Sequence, residues 1–124
     1  MLWNMRKRFS PPYDVIETKE QIIVLVEVAG MQADDFNIRR GDDKLVMHGT
    51  RHRQPFDNCA YHRVEIGFGE FRVQIPITWS IQQNIVNAVY RDGFLKIELP
   101  RLPEQQIQII SMDGNEQDNT HHES

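Results

Sequence analysis

Apolar and polar side chains alternate along much of this chain with the period of two that a half-buried β-strand requires. Phe71, Val73, Ile75 and Ile77 alternate with Arg72, Gln74 and Pro76, so this segment is predicted as a strand with Pro76 near its end or on an edge. Leu95, Ile97 and Leu99 alternate with Lys96 and Glu98 behind the turn signal Arg91-Asp92-Gly93. Val86, Ala88 and Tyr90 supply the strand before that turn, and residues 85–99 therefore read as a β-hairpin. Phe36 and Ile38, then Leu45 and Met47, give two shorter strands joined by Arg40-Gly41-Asp42-Asp43. The segment from Ile22 to Val28 is apolar on both parities, as in a central strand covered on two sides, and it stops at Ala29-Gly30. Tyr13, Val15 and Ile16 open the series after Pro11-Pro12.

Turn signals recur at about 8 to 12 residues and no segment has the period of a helix of about ten residues or more, which together predict an all-β sandwich. Two regions break the pattern. Arg51 to Asn58 is polar and holds Pro55, so it reads as a long loop, and Tyr61-His62-Arg63-Val64-Glu65-Ile66 has strand character at its far end. Residues 113–124 are polar, acidic and free of aromatics, and are expected to be disordered. Between the last strand and this tail lies Ile107-Gln108-Ile109-Ile110, either a last strand of the same sheet or a portable anchor for a partner's groove.

With 124 residues, 40% hydrophobic and 26% charged, the chain suits one domain with a single core. Its longest unbroken apolar run is Ile22 to Val26, far short of the roughly 18 residues of a membrane-spanning helix. The N-terminal basic cluster Arg6-Lys7-Arg8 follows apolar residues instead of preceding them, the reverse of a secretory signal, and a cytoplasmic location is expected. The net charge is −4, but residues 104–124 carry five acids and no Lys or Arg, leaving 14 basic against 13 acidic residues in the rest. A nearly neutral body lacks the basic surplus of a phosphate-backbone binder, so neither nucleic acid nor a membrane is expected as partner.

The chemistry-bearing residues are sparse. Cys59 has no second cysteine with which to form a disulfide or a thiolate metal site. His48, His52 and His62 lie near it without the spacing of a ligand set, and nothing in sequence supplies Cys59 with a base and an orienting group. Gly67-Phe68-Gly69 lacks the third glycine and the following helix of a dinucleotide loop. No catalytic residue, metal or cofactor is expected, and the informative features are binding features.

Several motifs in order resemble the α-crystallin domain of small heat-shock proteins, across roughly residues 11–109. Pro12-Tyr13-Asp14-Val15-Ile16-Glu17-Thr18 is similar to its opening strand, Val26-Glu27-Val28-Ala29-Gly30-Met31 to its Val-x-x-Pro-Gly signature, and Leu45-Val46-Met47-His48-Gly49-Thr50-Arg51 to its Leu-x-Ile-x-Gly-x-Arg strand. Ala88-Val89-Tyr90-Arg91-Asp92-Gly93-Phe94-Leu95 resembles the Ala-x-x-x-Asn-Gly-x-Leu signature, and Ile107-Gln108-Ile109 the tail Ile-x-Ile. Ala29 stands where Pro is usual, Val73 where an Arg is usual, and Thr78 where a Pro is usual.

The resemblance implies an immunoglobulin-like antiparallel β-sandwich of seven to eight strands and an ATP-independent holdase that binds partly unfolded client proteins as a homodimer or larger homo-oligomer. It divides the chain into an arm (1–11), the domain (12–102) and an extension (103–124). It further implies that Tyr61, His62, Arg63, Val64, Glu65 and Ile66 join a partner's sheet. Ile107 and Ile109 would dock between the strand of Phe36 and Ile38 and the strand of Val86, Ala88 and Tyr90. The competing class is a CS-type co-chaperone or adaptor sandwich that recognises one folded partner.

Overall fold

Seven strands and one short 3-10 turn form among the described residues of the computed structural model, which are 9–82, 87–103 and 107–112. In chain order they are β1 (Tyr13–Glu17), β2 (Gln21–Glu27), the turn at Ala33–Asp35, β3 (Phe36–Arg40), β4 (Lys44–Arg51), β5 (Gly69–Pro76), β6 (Asn87–Arg91) and β7 (Phe94–Pro100). They build two antiparallel sheets, β1-β2-β7-β6 and β3-β4-β5. The inward parity of four strands meets in one core: Ile22, Val24 and Val26 of β2, Leu45 and Met47 of β4, Phe71, Val73 and Ile75 of β5, and Leu95, Ile97 and Leu99 of β7 are all buried. This is the expected all-β sandwich, with the alternation of β5 and β7 as its signature.

The hairpin is set by its turn. Asp92 and Gly93 have φ of 54° and 83°, the pair of left-handed residues that a two-residue turn needs to match the twist of its strands. A Cβ on Gly93 would also stand 3.3 Å from the Cβ of Ala29, where the Gly93 carbonyl accepts from the Val28 N–H at 2.8 Å. Residues 85 and 86, which the sequence assigns to the first strand, lie outside the described residues.

β2 is central, between β1 and β7, but it is not covered on both sides. Ile23 and Leu25 are only half-buried on the outer face, because a two-layer sandwich gives each sheet one solvated side. Pro76 closes β5 at the edge of its sheet, where a missing donor is harmless. Val73, at the position usually Arg in the resembled family, faces the core opposite Met47. A short segment after β5 also enters the core: Ile81 is buried and bridges to Arg101.

The two sheets are unequal. Tyr13 and Val15 sit opposite Val26 and Val24 and face the same way, yet they are 39% and 38% exposed while their partners are fully buried. β1 thus overhangs the three-stranded sheet and leaves both an open main-chain edge and an uncovered apolar face.

Replacing Gly93 by Ala forces a Cβ into a left-handed turn and against Ala29, and is expected to lower stability by about 1–2 kcal/mol, read as a lower urea midpoint at unchanged slope.

Candidate binding edges and the loop clasp

On the side opposite β1, the edge strands β3 and β6 come together. The rings of Phe36 and Tyr90 lie 5.2 Å apart, and both are partly buried against the core. The Tyr90 hydroxyl fixes this contact by donating to the Val28 carbonyl at 2.8 Å and accepting from the Met31 N–H at 3.3 Å. Ile38 faces inward next to Phe36 and is half-buried, while Ala88 faces inward on β6 and is exposed. The predicted groove residues Phe36, Ile38, Ala88 and Tyr90 therefore lie along two neighbouring edges, and Val86 lies outside the described residues.

Ile107 and Ile109 are 88% and 94% exposed, and Ile110 and Met112 are nearly as bare. Residues 107–112 form no strand, so this segment is not a last strand of the sheet in the single chain. The connector residues 104–106 and the acidic stretch 113–124, expected to be disordered, lie outside the described residues, as does the basic segment 1–8.

Residues 52–68 connect the central strand β4 to the edge strand β5 without regular structure. Tyr61, His62, Arg63, Val64, Glu65 and Ile66 form no strand within their own chain, and β5 begins three residues later at Gly69, whose φ is 101°. Their side chains are mostly in water, and the local Arg63–Glu65 ion pair at 3.0 Å is too exposed to contribute much.

What fixes this loop is its root. Arg51, the last residue of β4, donates from Nε and Nη2 to the Gly67 carbonyl and from Nη1 to the Ala29 carbonyl at 3.0 Å. Its guanidinium lies over the ring of Phe9 at 4.1 Å and over the ring of Phe68 at 5.1 Å. Arg53 repeats the arrangement, stacked over Phe68 at 4.4 Å and Tyr61 at 5.5 Å while donating to the Ile66 carbonyl at 3.1 Å. Partial burial pushes the Arg51 pKa down from its ordinary value, with Tyr90 opposing the shift, and the group remains charged at neutral pH. Phe9 completes the clasp: it meets Phe71 edge-on at 5.5 Å and lies so close to Gly67 that a Cβ there would stand 2.6 Å from its ring. Its partial burial and the cation–π contact together contribute about 2 kcal/mol.

Cys59 is exposed and free, His52 and His62 are exposed, and no group of three or more His, Cys, Asp or Glu could hold a metal among the described residues. His48 lies with Glu70 and Arg72 on the rim of a shallow depression on the outer face of β4 and β5, open to solvent. No helix among the described residues is long and apolar enough to cross a membrane.

Two antiparallel sheets of four and three strands in this order define an α-crystallin-type sandwich. Residues 14–113 match the Hsp20/alpha crystallin family, and the chain belongs to that family, whose members are non-catalytic. It is 29% identical over 113 residues to the spore protein SP21 of Stigmatella aurantiaca, covering 88% of this chain and 66% of that protein. To a 17.6 kDa class II heat shock protein of Arabidopsis thaliana it is 30% identical, over 76% of this chain and 63% of the plant protein. The chain thus spans about two thirds of the length of these relatives. Heat shock protein 16.0 from Schizosaccharomyces pombe has the same fold, with a TM-score of 0.69 at 27% identity over 82% of this chain and 99% of that one. The hspA of Xanthomonas axonopodis, at 19% identity, shares the fold with a TM-score of 0.72 over 80% and 100% of the two chains.

Replacing Arg51 by Ala removes two ring stacks and the donors to two carbonyls. The expected loss is about 2 kcal/mol in urea unfolding, together with faster cleavage between residues 52 and 66 in limited proteolysis. Lys at position 51 should recover little, because an ammonium cannot hold both carbonyls and stack between two rings.

Proposed function

We propose that the chain is an ATP-independent holdase that binds non-native proteins in the cytoplasm, acting as a homodimer that associates into larger homo-oligomers. The observation that carries this is the bare apolar surface of a family member at its edges and tail: Ile107, Ile109, Ile110 and Met112 stand in water within six residues, beside a sandwich with open edges. A holdase needs apolar surface that clients and neighbouring subunits can share, and no chemical step. Such contacts give about 25 cal/mol per Å² of apolar area, offset by ordering costs, which suits many clients bound weakly.

In this proposal residues 1–11 are an arm, 12–102 the domain and 103–124 an extension. Tyr61, His62, Arg63, Val64, Glu65 and Ile66 of one subunit add to β1 of the other, where an open edge and the uncovered faces of Tyr13 and Val15 offer a ladder and an apolar partner. Ile107 and Ile109 point to one face of an extended segment and dock in the groove between β3 and the strand carrying Val86, Ala88 and Tyr90. The connector from Arg101 to Gln106 is short and stiffened by Pro103, which favours a groove on a neighbouring subunit. Two isoleucines contribute about 1.5 to 3 kcal/mol each before ordering costs, a reversible link that a client can displace.

The chain should keep a heat-labile test enzyme in solution, without ATP, at about one subunit per client molecule; loss of the client to the pellet at every ratio would refute the holdase. Deleting residues 52–62 should give monomers in analytical ultracentrifugation, and a deletion variant that stays dimeric rules out the exchanged strand. Changing both Ile107 and Ile109 to Ala should leave the dimer and reduce any larger mass seen by light scattering, whereas an unchanged mass above that of a dimer would exclude tail docking.

A further inference from the structure

We propose that the seat of Phe9 is a binding site for an aromatic side chain of a non-native client, which Phe9 fills from within the chain until it is displaced. The proposal rests on the holdase reading for its ligand class and on the geometry of the seat for its specificity. Three walls define that seat: the Arg51 guanidinium 4.1 Å from the ring centroid, the edge of Phe71 at 5.5 Å, and the bare backbone of Gly67, where a Cβ would come within 2.6 Å of the ring. A cation over the face, a ring at the edge and a glycine where any side chain would collide together select a flat π system. An aliphatic chain could fill part of the volume but would forgo the cation–π contact.

The seat is built to outlast its occupant. Arg51 is held from behind by the carbonyls of Gly67 and Ala29 and backed by Phe68 at 5.1 Å, and Phe71 belongs to the core, so none of the three walls depends on Phe9 for its place. Phe9 itself is held lightly. It is only half-buried, and residues 9–11 make no backbone hydrogen bond among the described residues; the first is the one that the Pro12 carbonyl accepts from the Glu27 N–H at 3.1 Å. Release of Phe9 therefore breaks side-chain contacts and no ladder.

The position of the seat makes its occupancy matter. Phe71 meets Phe36 at 6.3 Å, and Phe36 meets Tyr90 at 5.2 Å, so an emptied seat lies at the end of an aromatic row that reaches the groove between β3 and β6. A client segment that places an aromatic residue in the seat gains a contact that the groove alone does not offer. Phe9 sets a threshold, since only a ring that competes with a tethered one is retained.

The test uses the full chain and two labelled peptides, one with the sequence of residues 8–12 and one with Leu in place of its Phe, titrated by fluorescence anisotropy into parent and Phe9→Ala protein. Phe9→Ala should bind the Phe peptide about tenfold more tightly than the parent does, and about fivefold more tightly than it binds the Leu peptide. Adding Gly67→Ala to Phe9→Ala should abolish that preference by filling the seat. Phe9→Leu keeps the fold if the alanine variant does not, and should bind the Phe peptide with intermediate affinity. Equal binding of both peptides, or no gain over the parent in either variant, overturns the proposal. A change of mass in light scattering on Phe9→Ala would assign the seat to the Phe9 of a second copy and equally overturn it. Failure of the parent to protect a heat-labile enzyme, with the peptide preference intact, would instead remove the holdase and leave an aromatic-specific site.

Discussion

Tyr13 and Val15 point toward a second sheet that does not extend far enough to meet them, because four strands are stacked on three. A sandwich with sheets of equal width buries its inward faces completely, and its edges are then the only places where another chain can add. Here the inequality leaves the inward face of β1 partly open beside an open ladder, so main-chain pairing and apolar burial are available at one place. An edge of this kind is an aggregation hazard unless something covers it. The proposed exchange of the loop strand between two subunits supplies that cover, and it explains why Tyr61–Ile66 has strand-forming side chains but no ladder within its own chain.

The loop can serve such a purpose only if its root is fixed while its tip is free. Arg51 and Arg53 provide this by alternating with rings, Phe9, Arg51, Phe68, Arg53 and Tyr61 forming one stack in which each guanidinium also holds a backbone carbonyl. The carbonyls of Gly67 and Ile66, at a turn where no strand partner exists, would otherwise depend on water. Arginine is suited to this position because its planar group presents donors at its rim and a stacking face at its centre, so satisfying the carbonyls does not forfeit the rings. The Arg63–Glu65 ion pair in the same loop is exposed and weak by comparison, and the clasp does not rely on it.

How much of this was legible in the sequence follows from how local each determinant is. The hairpin of β6 and β7 was readable because Asp92-Gly93 imposes its turn from within and Leu95, Ile97 and Leu99 alternate cleanly. β2 was correctly placed at the centre of a sheet but wrongly expected to be covered on both faces, since Ile23 and Leu25 are apolar residues left half-exposed on an outer surface and composition cannot tell that from a second layer. The clasp has no such local determinant. Phe9 is separated from Arg51 by 42 positions and from Gly67 by 58, and nothing local marks two arginines at the head of a polar loop as stacking partners. The motif carrying Gly49 and Arg51 was the one available signal. The family likeness points to Phe36 and Tyr90 as groove residues, and their contact shows how the edges of two sheets are joined, although no spacing rule connects positions 36 and 90.

The aromatic contacts run on from the clasp into the core, from Phe9 to Phe71, to Phe36 and to Tyr90. The rings meet edge-on or tilted, arrangements in which aromatic pairs gain energy beyond their buried area. They also place a stiff row of side chains between the loop root on one side of the sandwich and the groove on the other. Continuity alone does not make two sites interdependent; that requires an element with two arrangements whose balance both sites alter. Phe9 is the member of this row with the least to hold it, half-buried and without a backbone bond among the described residues, while Phe71 and Tyr90 are fixed by the core and by two hydrogen bonds. Any two-state behaviour along the row therefore resides at Phe9, and the rest of the row serves as the rigid frame against which its presence or absence is felt.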